Sequence, residues 1–176
     1  STYSDGTCTP FELYELAKQS YPAYTGQNNP YLCLAKIYKE SGKKEKAFAE
    51  LEEYLKKEGT DFPTRMELSK EYFSRKEYQN SLRLLKEAQD IYPLEKELQH
   101  LLAKSYKELE NEEISLKHYS ILLALKPEEN KHAIHAEIAE IYVHLNDKEK
   151  AKFHAEESLR IKPGFKKAEN ILKKIK

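Results

Sequence analysis

Tryptophan is absent from this 176-residue chain, methionine occurs once, and glycine and proline number only five and seven. Charged residues reach 34% and are mostly Lys and Glu, so long amphipathic helices with few breaks are the expected outcome. Net charge is also missing: Lys plus Arg and Asp plus Glu both total 30. A general polyanion binder shows a basic excess, so the balance argues against nucleic acid as the partner. No long apolar run exists; Ile121 to Leu125 is the longest, far short of the roughly 20 residues that span a bilayer. No membrane insertion is expected. The opening residues 1–6 have neither a charged start nor an apolar stretch, and no initiator Met precedes them, which reads as a mature or excised piece. Cysteine is limited to Cys8 and Cys33. On helical geometry these sit roughly 15 Å apart, too far for a disulfide. Two free thiols favour a reducing compartment, the cytoplasm over an exported location.

What is abundant is internal repetition. Tyr38, Tyr72, Tyr106 and Tyr142 are spaced by 34, 34 and 36 residues. Four residues before each stands an aliphatic (Leu34, Leu68, Leu102, Ile138), and three before each a small residue (Ala35, Ser69, Ala103, Ala139). Nine after each comes another small residue (Ala47, Ser81, Ser115, Ala151) and thirteen after come Leu51, Leu85, Tyr119 and Ala155. Twenty-one after come Gly59, Pro93, Pro127 and Pro163. Apolar residues recur at steps of three and four inside each unit, the helix period, and the prolines stop the second helix of a unit. The serines of the small columns are expected to return their hydroxyls to carbonyls one turn back. One unit cannot bury its own apolar face, so neighbours must stack.

This pattern resembles the tetratricopeptide repeat, with its period of 34 residues. The resemblance covers residues 29–163. It implies an all-α right-handed superhelix of four helix-turn-helix repeats, in which large residues at positions 4, 7, 11 and 24 meet small ones at 8, 20 and 27. The aromatic usual at position 4 survives only as Tyr31; Arg65, Gln99 and His135 replace it in the later units. Position 27 varies as Tyr54, Ala88, Leu122 and Ser158. Two extra residues precede the fourth unit, which predicts a longer loop near Glu128 to Lys131.

The organisation that follows is an N-terminal segment with a leading helix (1–28), four repeats (29–163) and a C-terminal capping helix (164–176). Thr9-Pro10-Phe11-Glu12 reads as an N-cap, a Pro at the first helical position and a Glu three after the cap, which starts the leading helix over 9–21. Gln27 to Pro30 reads as a loop. Phe165, Ala168, Leu172 and Ile175 form one apolar stripe amid lysines, the pattern of a cap with a wet outer face.

In the family, the first helix of each unit lines a concave groove. Carried over by position, the lining here is Leu32, Met66, His100 and Ala136 at position 5; Lys36, Lys70, Lys104 and Glu140 at position 9; and Lys39, Phe73, Lys107 and Val143 at position 12. Three lysines in register at position 9 predict a groove for an acidic peptide segment or a terminal carboxylate, with Leu32, Met66 and Phe73 as apolar contacts. Glu40 and Glu108 could instead neutralise them. Family members that clamp the acidic tail of heat-shock chaperones carry Lys and Asn at fixed positions. This chain offers Met66, Lys70, Leu101, Ala133 and Glu137 from the second unit, or Leu32, Lys36, Glu67, Glu97 and Leu101 from the first, and neither set matches.

No catalytic residue, cofactor or metal is expected. His132 and His135 with nearby Glu137 could suggest a metal, but no third ligand accompanies them, and a solvated helix start is the reading preferred. No phosphate-cradling glycine loop and no nucleophile elbow occurs. The resulting expectation is a monomeric scaffold or adaptor that holds a protein or peptide segment. The alternatives are an accessory domain of a larger, possibly enzymatic protein and, more weakly, a self-assembling structural protein.

Overall fold

The computed structural model describes residues 9–26, 28–126 and 129–176, so Cys8, Gln27, Pro127 and Glu128 lie outside the described residues. The described part is all-α. In chain order the helices are α1 (Pro10–Ser20), α2 (Pro30–Glu40), α3 (Lys44–Lys57), α4 (Phe62–Ser74), α5 (Tyr78–Ile91), α6 (Lys96–Glu108), α7 (Glu112–Ala124), α8 (Lys131–His144), α9 (Lys148–Ile161) and α10 (Lys166–Ile175). Packing groups them into two compact units, Ser1–Leu68 and Ser69–Lys176.

The expected starts and stops are present. At α1 the Thr9 amide donates to the Glu12 carboxylate at 2.8 Å, and the Glu12 amide donates to the Thr9 hydroxyl at 3.3 Å, a reciprocal capping box. Pro30 belongs to α2 rather than to the loop before it: Asn29 is the N-cap and accepts from the amides of Tyr31 and Leu32. α5 and α9 end two residues before Pro93 and Pro163. The connection from α7 to α8 holds the two extra residues, and there Asn130 takes a left-handed φ of 61°.

The turn inside each repeat is built the same way four times. Gly42, Lys76, Glu110 and Asn146 have φ of 71°, 62°, 56° and 60°. The residue after each donates its amide to the carbonyl of the repeat tyrosine: Lys43 to Tyr38, Glu77 to Tyr72, Asn111 to Tyr106 and Asp147 to Tyr142, all at 2.8–2.9 Å. This closes the first helix by satisfying a carbonyl that its own ladder leaves open. Only the first repeat uses glycine for the left-handed residue; the other three accept the strain of a side chain there.

In the first unit α1 packs on α2, and α2 on α3. Leu34 and Ala47 are fully buried, and Tyr31, Leu51, Tyr54 and Leu55 nearly so. In the second unit α6 packs on α7, α8 on α9, and α10 on both α8 and α9. One cluster joins Ala103, Tyr119, Leu122, Ile134, Ile138 and Ile141. Another joins Ala136, Ala139, Ala155, Ala168 and Ile171, four of them alanines, so helix backbones approach closely under the cap.

The serines of the small columns correct one expectation. Ser81 donates to the Ser69 carbonyl at 2.8 Å and Ser115 to the Ala103 carbonyl at 2.7 Å, so each bond crosses from the second helix of a pair to the first instead of returning within one helix. Position 20 sits against the backbone of position 8, and a hydroxyl there meets a main-chain oxygen directly.

Candidate protein-interaction surface

Regular 3-4-3 spacing places the expected groove residues on one side of the first helices. In the first unit Leu32 is half-buried and Lys36 exposed, while Lys39 is engaged by Glu67. Met66, expected as an apolar contact, is only 4% exposed, which leaves its side chain little surface to offer. In the second unit Lys70 pairs with Glu97 at 2.7 Å. The ammonium of Lys104 lies 5.0 Å from the Phe73 ring centroid, a cation–π contact. His100 is half-buried, and burial followed by the nearby Lys104 charge pushes its pKa down.

The position-12 lysine of the third repeat is the most enclosed. Lys107 bonds Glu137 at 2.5 Å and also Glu140, while Lys167 from α10 bonds Glu137 at 2.5 Å and Glu140 at 3.0 Å. Two cations and two carboxylates thus tie α6, α8 and α10 together. Burial alone would raise the Glu140 carboxyl, but the hydrogen bonds from Lys107 and Lys167 outweigh it and hold its pKa down to about 2. The Glu137 carboxyl is lowered for the same reasons. Burial opposes the charge on Lys107, and the two carboxylates reverse that and raise its pKa. Lys39, Lys70 and Lys107 are therefore countered by Glu67, Glu97, Glu137 and Glu140 from the following repeats.

Beside this network lies a recess of about 540 Å³ lined by Glu140, Val143, Lys167, Asn170, Ile171 and Lys174. It brings positions 9 and 12 of α8 onto the cap helix. A second recess of about 460 Å³ includes Glu97, His100, Leu122 and Ile134. Glu140 and Val143 belong to the lining expected from spacing, whereas Lys167, Asn170 and Lys174 of the cap helix were not among the expected residues. The sequence signal for them was the lysine-rich composition of the cap helix, read only as a wet face.

A buried polar column was also missed. Position 4 is enclosed in every repeat: Tyr31, Arg65, Gln99 and His135 are between 1% and 7% exposed. Its partner in the last two repeats is a histidine nineteen residues on. Gln99 bonds His118 at 2.7 Å, and His135 bonds His154 Nδ1-to-Nδ1 at 3.0 Å. Tyr106 stacks on His118 and Tyr142 on His154, with ring centroids 5.5 and 5.7 Å apart. His118 and His154 recur 36 residues apart, like Tyr106 and Tyr142, and that shared spacing was the available signal. The expected solvated helix start at His132 and His135 is corrected here. His135 is buried against α9, and His132 packs edge-on to Phe165 at 4.8 Å. Among the described residues no group of three His, Cys, Asp or Glu side chains could hold a metal ion. No helix among them is long and apolar enough to cross a membrane.

Comparison with known proteins follows this geometry. A family model described as the tetratricopeptide repeat matches residues 132–165, the α8–α9 pair. No curated protein matches the chain in sequence. Among solved structures, one of MamA is 18% identical and superposes with a TM-score of 0.64, covering 93% of this chain and 87% of that one. A second MamA structure is 21% identical with a TM-score of 0.69, covering 87% of this chain and 82% of that one. The Cut9–Hcn1 hetero-tetramer of APC/C is 16% identical with a TM-score of 0.60, covering 94% of this chain and 38% of that one. These are tetratricopeptide-repeat proteins, and the likeness carries the fold. With the repeating tyrosines, the four matching turns and the α8–α9 match in agreement, the chain has the tetratricopeptide-repeat fold, and residues 132–165 match that family's model.

Proposed function

We propose that this chain is a protein-interaction scaffold whose second unit holds a peptide segment in the recess between α8 and α10. The observation that carries this reading is the recess itself: Val143 and Ile171 give it apolar surface, Asn170 and Lys174 give it polar and basic groups, and the Glu140 carboxylate in its lining is already held by Lys107 and Lys167. Helix surfaces held by a buried alanine seam and a four-charge network are rigid before a ligand arrives, which lowers the ordering cost of binding. The pairing of Lys39, Lys70 and Lys107 narrows the basic character. Those lysines are largely spent on carboxylates of the protein, while Lys174 stands on the rim of the recess. The ligand that fits is a segment with one acidic group for Lys174 and Asn170 and an apolar side chain for Val143 and Ile171. Recognition on a preformed surface makes and breaks no bond.

The test is a peptide library graded from basic to acidic, screened against the whole chain and against Lys174→Glu and Val143→Asp. The expected result is selection of acidic–apolar peptides and at least about a tenfold loss of affinity in either variant, since one charge contact or one apolar anchor is worth about 1.4 kcal/mol or more. Equal binding by wild type and variants sinks the recess as the site.

A further inference from the structure

The six histidines all lie in the second unit, and the first unit has none. Two of them form a side-chain contact between the helices of the last repeat, beside the bond that the Ser158 hydroxyl donates to the His132 carbonyl at 2.7 Å. His135 on α8 and His154 on α9 meet Nδ1-to-Nδ1 at 3.0 Å, with ring centroids 5.2 Å apart. A hydrogen bond between two imidazole nitrogens needs one donor and one acceptor, so the acceptor ring must be neutral at that nitrogen. A second proton in the contact would set two N–H donors face to face, at least one of them on a cationic ring.

The surroundings leave little to absorb such a proton. His135 is 7% exposed, and Tyr142 and Phe153 flank the His154 ring with centroids 5.7 and 5.2 Å away. On α8, Lys131 lies near His135 and disfavours its charging. On α9, Arg160 does the same, while Glu157 favours the charged form of both rings. Glu157 is itself bonded by Arg160 at 2.7 Å. From the elements packed alongside, Lys117 of α7 acts on His118, and Lys167 of α10 is engaged by Glu137 and Glu140. The third repeat has the equivalent contact in a milder form, Gln99 with His118, where only one partner titrates.

We propose that the His135–His154 pair is an acid-sensitive latch: it joins α8 to α9 while the rings share one proton, and a second proton releases it and loosens the last repeat with its α10 cap. Burial, then the neighbouring His135 charge, holds the pKa of His154 down to about 4, and burial also lowers that of His135. For a histidine lowered in the folded state, the unfolded chain binds more protons between the two values. The contribution to stability is therefore complete above the ordinary value of about 6.5 and is lost as pH falls from there toward 4.

The experiment follows the imidazole carbon-bound protons of the whole chain by NMR from pH 8 to 4, together with amide exchange at pH 7.5 and 5.0. The latch predicts that His154 titrates well below the ordinary histidine value of about 6.5. It also predicts that protection in α8 to α10, corrected for intrinsic exchange, falls at least about tenfold at the lower pH while that in α2 and α3 holds. His135→Gln recreates the Gln–His contact of the third repeat and should remove a large part of that acid loss. Wild-type titration of both rings near the ordinary value, or equal loss of protection in the two units, overturns the proposal. Because the wild-type measurements decide it alone, a misfolded variant would not rescue it.

Discussion

The first and last described helices are both amphipathic but are held differently. α1 buries no side chain fully and leaves Leu13 and Leu16 more than half exposed. Its ties are on its rim: the ion pair of Lys18 with Glu50 at 2.6 Å, the Tyr38 hydroxyl donating to Glu15 at 3.4 Å, and edge or face contacts such as Phe11 with Tyr38 at 5.6 Å and Lys18 with Tyr31 at 5.4 Å. α10 buries Ala168 and Ile171 and adds Lys167 to a network of four charges. An amphipathic helix becomes a cap only when its apolar stripe meets small residues that let it come close. α8 and α9 supply Ala136, Ala139 and Ala155 for that purpose. α1 has no such seam, and a recess of about 460 Å³ lined by Leu13, Tyr14, Ala17, Tyr21 and Tyr24 stays open along it.

Breaking the seam should give the largest effect. Ala168→Arg forces a cation into a fully buried alanine contact and is expected to cost about 4 kcal/mol, read from urea unfolding, whereas Ala17→Arg on half-buried α1 should cost less than about 1 kcal/mol. Equal costs at the two ends would erase the distinction. Acid should act next and only on the histidine-bearing unit. Lowering pH from 7.5 to 5.0 is expected to cost that unit about 2 kcal/mol in a thermal melt, less than the full His154 shift because pH 5.0 still lies above its folded value of about 4. The Glu137 and Glu140 carboxylates, whose folded pKa values are lowered, keep their contribution above about pH 4.5 and lose it as pH falls toward about 2, so a melt series should resolve two separate losses.

The ion pairs sharpen the comparison further. Lys18→Met leaves the Glu50 carboxylate, itself 7% exposed, without its cation and should cost about 1.5 kcal/mol. Lys167→Met should cost only about 1 kcal/mol, because Lys107 still serves both Glu137 and Glu140. A double-mutant cycle with each carboxylate measures both. The smallest effect is a gain. Glu110→Gly relieves a left-handed side chain in the repeat turn and should add about 0.5 kcal/mol, while Gly42→Ala in the equivalent turn of the first unit should lose about 1 kcal/mol.

Much of the fold was legible before any coordinates. The capping box at Thr9, the stops before Pro93 and Pro163, and the two-residue irregularity before the fourth repeat are local signals, each set by residues within a turn or two. The candidate surface was legible only in outline. Spacing put Lys70 and Lys107 on one side of their helices, yet their counterions sit on the next repeat about 27 to 33 residues away. No periodicity within one helix can reveal which carboxylate arrives there. The serine hydroxyls were assigned to their own helices for the same reason.

The sequence by itself determined the helices, their lengths, the repeat and its register, because hydrophobic periodicity and turn chemistry act over a few residues. Tertiary structure decided what the polar positions do. It made His135 the partner of His154, Gln99 the partner of His118, and Lys167 a tie instead of a wet lysine on a cap. Those outcomes depend on how closely two helix surfaces approach, and that distance is set by the small residues between them once the whole repeat has packed.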